Sequence, residues 1–135
     1  MVKIVTRAII LDKNRKVLLG KRASGKGNGQ WALVGGRPEG KESLTETIIR
    51  EVNEELGIKF IKPVLWKETN SVFAPIEEWR VFYFYGTYEG KIKLDLDEIS
   101  EANFFGKEDL VNLNIVFNHK AIISQFFKEV YTSLV

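Results

Sequence analysis

The sequence predicts a mixed α/β (α+β) domain, and three observations predict it. Several alternating β-branched or aromatic runs are punctuated by turn residues; one well-capped helical segment lies in the middle of the chain; a second helical period closes it. Strands that pair around one central helix and are closed by another imply helices packed on both faces of a sheet. A chain of 135 residues with 44% apolar content is long enough for one core and short for two, so a single domain over residues 1–135 is expected.

The elements follow in order. VKIVTRAIIL (2–11) is β-branched and partly alternating, breaks at Asp12-Lys13-Asn14-Arg15, and is followed by Val17-Leu18-Leu19, a pattern that predicts a hairpin. SGKGNGQ (24–30), with three glycines, is a loop, and WALVGG is a short strand ending in paired glycines. Ser43 with Glu46 three residues on forms a capping box for a helix running to about Leu56, where Gly57 stops it. Strands return loosely over Phe60 to Phe73 and then over Trp79 to Tyr88. Glu89-Gly90 is a turn, Ile92-Lys93-Leu94 resumes the ladder, and LDLDEISEAN is an acidic loop. Phe104-Phe105 reads as a short strand, 107–113 as a helical turn, and NHKAIISQFFKEVYTSL as a closing helix through Ala121, Ile122, Phe126 and Val130.

Composition excludes several function classes. No stretch approaches the roughly 18 apolar residues of a membrane helix, and the N-terminus alternates where a signal peptide would have an apolar block; a soluble, cytoplasmic protein without a membrane partner is expected. The absence of cysteine rules out disulfides and thiolate metal sites, leaving oxygen donors or the single His119; oxygen ligands point to magnesium or manganese. A net charge of +2 argues against a nucleic-acid polymer as partner, but its distribution is uneven. Residues 36–58 hold six glutamates against Arg37, Lys41 and Arg50, a local −3 that leaves +5 elsewhere. An acidic pocket in a basic shell suits an anionic ligand that arrives with cations.

On the central helix, Glu51, Glu54 and Glu55 share an arc of roughly 100° at the border of the stripe formed by Leu44, Ile48, Val52 and Leu56. Such a face is either solvated or a cage for a divalent ion, since partly desolvated carboxylates repel unless a cation lies between them. Gly35-Gly36 ahead of the helix allows close backbone approach, so a carbonyl could join the cage.

The stretch GGRPEGKESLTETIIREVNEELGI resembles the Nudix box, the signature of the Nudix hydrolases. The family pattern is Gly, five residues, Glu, seven residues, then Arg-Glu-apolar-any-Glu-Glu-any-Gly-apolar. Gly36, Glu42, Arg50, Glu51, Val52, Glu54, Glu55, Gly57 and Ile58 fill it at every spacing. Val34 stands where many members have proline, and Pro38 falls inside the box, without loss of an acid. The resemblance implies an α/β/α sandwich, a mixed sheet with the box helix on one side and the C-terminal helix on the other. It also implies hydrolysis of a nucleoside diphosphate linked to another group. Carried over, Glu54 and Glu55 with the Gly35 carbonyl would be the principal metal ligands, Glu51 would bind metal or activate water, Arg50 would orient the acids, and Glu42 would support the loop or a further metal.

Outside the box, Arg22 resembles a phosphate-contacting arginine of the triphosphate branch, or is a solvated strand-end charge. Glu98 or Glu101 would supply the extra acid that some members draw from a late loop, or is simply exposed. Asn118 resembles a base-contacting asparagine, or is a helix N-cap. His119 has no neighbouring second ligand. Trp31, Trp79 and the aromatic run 82–85 stack on a base or fill the core. The expected enzyme is a magnesium- or manganese-dependent nucleoside triphosphate pyrophosphohydrolase with a small-molecule nucleotide substrate, as monomer or homodimer. A nucleoside diphosphate sugar hydrolase of the ADP-ribose or GDP-mannose type is the alternative, and a non-catalytic nucleotide sensor is an alternative of another class.

Overall fold

The computed structural model describes residues 2–25, 27–73, 77–116 and 118–131. Seven strands run in the order β1 (Val2–Ile10), β2 (Val17–Arg22), β3 (Trp31–Ala32), β4 (Val34–Gly36), then α1 (Leu44–Leu56), β5 (Lys59–Phe73), β6 (Glu77–Glu89) and β7 (Ile99–Phe105). A 3₁₀ turn (Lys107–Asn112), α2 (His119–Phe126) and a π-helical turn (Phe127–Tyr131) follow. The predicted continuation of the closing helix through residues 132–134 lies outside the described residues. No helix among the described residues is long and apolar enough to cross a membrane.

The mixed α+β class holds, with the strands divided into two sheets. One is four-stranded, β4-β1-β6-β5, with β1 parallel to β6 and antiparallel to β4; the other is three-stranded and antiparallel, β3-β2-β7. The predicted β1/β2 hairpin therefore does not form. The two strands touch through one bridge, Leu11 to Val17, and then diverge into different sheets. The WALVGG segment likewise splits at Leu33, with Trp31–Ala32 in one sheet and Val34–Gly36 in the other. Nor does Ile92-Lys93-Leu94 resume a ladder. Its apolar side chains pack against the core under α1, and the Lys93 N–H donates to the Leu56 carbonyl at 2.8 Å, tying this loop to the helix end. The predicted acidic loop is shorter than expected, since Ile99 already begins β7.

Both faces of β1 are buried, which is why its alternation is incomplete. Ala8 and Ile10 meet Ile48, Val52 and Leu56 of α1, while Ile9 and Leu11 meet Ile122, Ile123 and Phe126 of α2. β2 divides in the same way, Leu18 to the first core and Val17 and Leu19 to the second. A helix on each side covers the strands, and each fully buried aliphatic contributes about 1.5–3 kcal/mol.

Helix α1 begins as its capping box predicts. Glu46 N–H donates to Ser43 Oγ at 3.1 Å, and Ser43 N–H to Glu46 Oε1 at 2.8 Å. It ends at Gly57, whose φ of 69° is the left-handed turn that glycine accepts without cost, with its N–H on the Asn53 carbonyl. The acids of this helix are thus held in register against β4.

Candidate active site

Arg50 organises the outer carboxylates. Its Nε and Nη2 donate to the two oxygens of Glu42 at 2.7 and 3.0 Å, and its Nη1 to Glu51 Oε1 at 2.9 Å and to both oxygens of Glu54 at 2.9 and 3.0 Å. Nη2 also donates to the Arg37 carbonyl at 3.1 Å, so the same side chain pins the box loop to the helix. A planar fork of N–H donors can serve three carboxylates and a carbonyl at once, which a lysine could not. Glu42, acting first, and then Glu51 and Glu54 hold the guanidinium above its ordinary value. In return the Arg50 bond, joined by the Glu39 N–H, brings Glu42 down to about 2.

The inner carboxylates have a different setting. Burial first, and then Glu51, pushes Glu55 up to about 8, against the opposing pull of Arg7. One oxygen of Glu55 is buried with no hydrogen-bond partner. Glu51 is also raised by burial, with Arg50 opposing. Its carboxylate lies over Gly36, where an added Cβ would sit 2.3 Å from Glu51 Cδ. Glycine is needed there to leave room for the acid. At Gly35 an added Cβ would sit 2.0 Å from the Thr6 carbonyl oxygen, because β4 runs tight against β1.

These groups border a cleft of about 250 Å³. Glu55, Gly35 and Gly36 line it from the box side; Val5, Arg7, Arg22 and Trp79 line it from the strands; Glu98, Arg37 and Ser24 complete its rim. Arg7 reaches it from β1, otherwise enclosed by protein. Burial pulls its guanidinium below its ordinary value, and Glu55 opposes that pull.

Of the site residues expected from the sequence, the fold brings Arg22, Gly35, Glu55 and Glu98 to this cleft, with Glu51 against Gly36 and with Arg50, Glu54 and Glu42 in the network beside it. Glu101 lies on β7 opposite Lys21, outside the cleft lining. Asn118 occupies the α2 N-cap position, but its side chain makes no capping bond and is not among the cleft-lining residues. His119 is buried, and its Nδ1 accepts from the Leu33 N–H at 3.1 Å. Trp31 packs edge-on against Phe105, and Phe82, Tyr83 and Phe84 are buried in the two cores, so Trp79 is the member of the aromatic set that reaches the cleft. Arg7, Arg37 and Val5 were not anticipated. The one signal for Arg7 is a charge directly before AIIL, a run of apolar residues.

The oxygen donors fit a hard divalent cation: the buried, partnerless oxygen of Glu55 beside Glu51 is a pair whose repulsion such an ion would relieve. Among the described residues no three His, Asp or Glu side chains are already gathered into a cage, because Arg50 holds Glu54 and one oxygen of Glu51.

The chain is similar to known proteins along most of its length. An ADP-ribose pyrophosphatase of Methanocaldococcus jannaschii is 32% identical over 122 residues, which cover 88% of this chain and 70% of that protein. A CTP pyrophosphohydrolase of Escherichia coli is 31% identical over 94 residues, covering 66% of this chain and 68% of the other. The fold superposes on the crystal structure of a MutT Nudix hydrolase from Burkholderia pseudomallei with a TM-score of 0.82 at 23% identity, covering 93% of this chain and 98% of that one. The family model of the Nudix domain matches residues 1–126. With that match, and with box residues and cleft in one place, the chain belongs to the Nudix family and is a pyrophosphohydrolase.

Proposed function

We propose that this enzyme hydrolyses a nucleoside triphosphate to the monophosphate and pyrophosphate, with magnesium or manganese as cofactor. The observation that carries the reading is the meeting of two arginines, Arg7 and Arg22, with Glu55 in one small cleft. Arginines there bind phosphate oxygens bidentately, and carboxylates beside them suit a substrate that brings cations.

Nudix hydrolases generally use divalent cations. Glu51, Glu54, Glu55 and the Gly35 carbonyl would hold the ion here, with Glu42 and Glu98 able to support a further one. When bound, it would neutralise charge on the bridging oxygens and supply a nucleophilic water near neutral pH. The chain's own residues do the rest. Arg7 and Arg22 fix the phosphate chain, Arg50 orients Glu51 and Glu54, and Glu51 either joins the ligands of the ion or activates the attacking water.

A second reading, a nucleoside diphosphate sugar as substrate, is favoured by the breadth of the match to the archaeal ADP-ribose pyrophosphatase. Hydrolysis of a panel of triphosphates, ADP-ribose and nucleotide sugars, with products resolved by chromatography and Glu54→Gln as control, separates the two. Pyrophosphate from a triphosphate, lost in the variant, is expected. Cleavage of ADP-ribose with triphosphates untouched would replace the first reading with the second.

A further inference from the structure

Trp79 lines the cleft, and its surroundings differ from those of a core tryptophan. It stands on β6 in register with Lys3 of the parallel strand β1, so the two side chains leave neighbouring strands on one face. Further along β6, Val81, Tyr83 and Tyr85 continue that face into the core under α2, whereas Trp79 opens on the cleft. The Lys3 ammonium lies 5.1 Å from the ring centroid, and the Arg37 guanidinium carbon 5.8 Å. Glu77 holds Lys3 beside the ring: its carboxylate pairs with the Lys3 ammonium at 2.7 Å. The ring therefore has an ammonium and a guanidinium near it, the first held in place by an ion pair.

We propose that Trp79 and Arg37 form a shelf that takes the flat nucleobase of the substrate, while Arg7 and Arg22 take its phosphates. The proposal deepens the reading of the cleft as a nucleotide site and rests on it. Indole and guanidinium both stack on aromatic bases, and such stacking favours large ring systems while tolerating differences in their hydrogen-bonding edges. A base between the two would need about 7 Å, two van der Waals contacts, so Arg37 has to lift from its 5.8 Å position; its side chain is exposed and can do so. Its backbone meanwhile stays fixed, since the Arg37 carbonyl accepts from Arg50 Nη2. Through that bond the base shelf shares one anchor with the carboxylate network.

Binding, not turnover, tests this, so the result stands whichever pyrophosphate the enzyme cleaves. Titration calorimetry with AMP and with ribose 5-phosphate isolates the contribution of the base. The wild type should bind AMP about tenfold or more tighter than ribose 5-phosphate. Trp79→Ala should close that gap while binding ribose 5-phosphate as before, and Trp79→Phe should restore most of it. An unchanged gap in Trp79→Ala, or no gap in the wild type, would overturn the shelf. Should the alanine variant lose ribose 5-phosphate as well, Arg37→Ala decides: a narrowed gap supports the shelf and an unchanged one overturns it. A failed triphosphate assay with the gap intact would instead condemn the assigned reaction and leave the shelf standing.

Discussion

Glu54 and Glu55 are adjacent in the chain and opposite in setting. Glu54 is half exposed and held by both its oxygens to Arg50; Glu55 is turned into the cleft, where burial and Glu51 press it towards its protonated form and one oxygen has no partner. A step of about 100° along one helix is enough to move a carboxylate from a saturated ion pair to a desolvated pocket. The difference teaches that the acids of the box are not equivalent in the folded chain. Arg50 satisfies Glu42, Glu54 and one oxygen of Glu51, and Glu51 links that group to Glu55, whose buried oxygen is left without a partner.

The largest expected effect breaks that comparison on the side of activity. Glu54→Gln and Glu55→Gln should each lower turnover by about a hundredfold or more, because each removes one of the carboxylates proposed to hold the divalent cation. Their stabilities should differ. Losing the partly exposed Glu54 ion pair costs at most about 0.5 kcal/mol, whereas Glu55→Gln removes a repelled carboxyl and should leave the metal-free melting temperature unchanged or higher. A clear fall in the melting temperature of metal-free Glu55→Gln would show that Glu55 is part of the structural network after all.

The two glycines ahead of the helix sharpen the comparison from the backbone side. An alanine at Gly35 meets the Thr6 carbonyl oxygen at 2.0 Å and Arg7 Cα at 2.9 Å, both backbone, so β4 must part from β1. A loss of about 3 kcal/mol or more is expected in chemical denaturation. At Gly36 the obstacle is the end of the Glu51 side chain, which can move. Gly36→Ala should cost about 1 kcal/mol or less of stability, yet displace Glu51 from the cleft edge and from its 2.9 Å bond with Arg50, so that activity falls well before the fold does. Equal losses of stability in the two variants would remove the distinction.

What the sequence made legible follows the same division. The Arg50 network could be read because its members lie on one helix and the loop before it, where spacing determines geometry. Glu55 could be named but not its isolation, which depends on β1 and β4 closing over it. Arg7 was hidden, since a charged residue within VKIVTRAIIL looks like the polar phase of a strand with one wet face, and this strand is covered on both. Lys3 and Trp79 become neighbours only through a parallel pairing across most of the chain. The β1/β2 hairpin and the strand at Ile92–Leu94 were misread for one reason: apolar alternation reports which side chains are buried, and it is silent on which backbone pairs with which.

His119 isolates the seam between the two sheets. Leu33 is where the chain leaves β3 for β4, and its N–H is satisfied by His119 Nδ1. Burial, followed by Arg7 and Arg22, brings the imidazole down to about 3, so it is a neutral acceptor across the physiological range. Because the folded value lies below the ordinary 6.5, the unfolded chain binds a proton that the folded chain refuses. The stability that depends on this is complete above about pH 6.5 and is lost as pH falls towards 3, by up to about 1.4 kcal/mol per unit. His119→Asn keeps an acceptor and removes the titration. The wild type should therefore lose roughly 5 °C more in melting temperature than this variant between pH 7 and pH 5. Parallel curves would mean that the imidazole is protonated without penalty, and that the seam is held by the neighbouring bonds of Trp31 to Asn114 and Val116 instead.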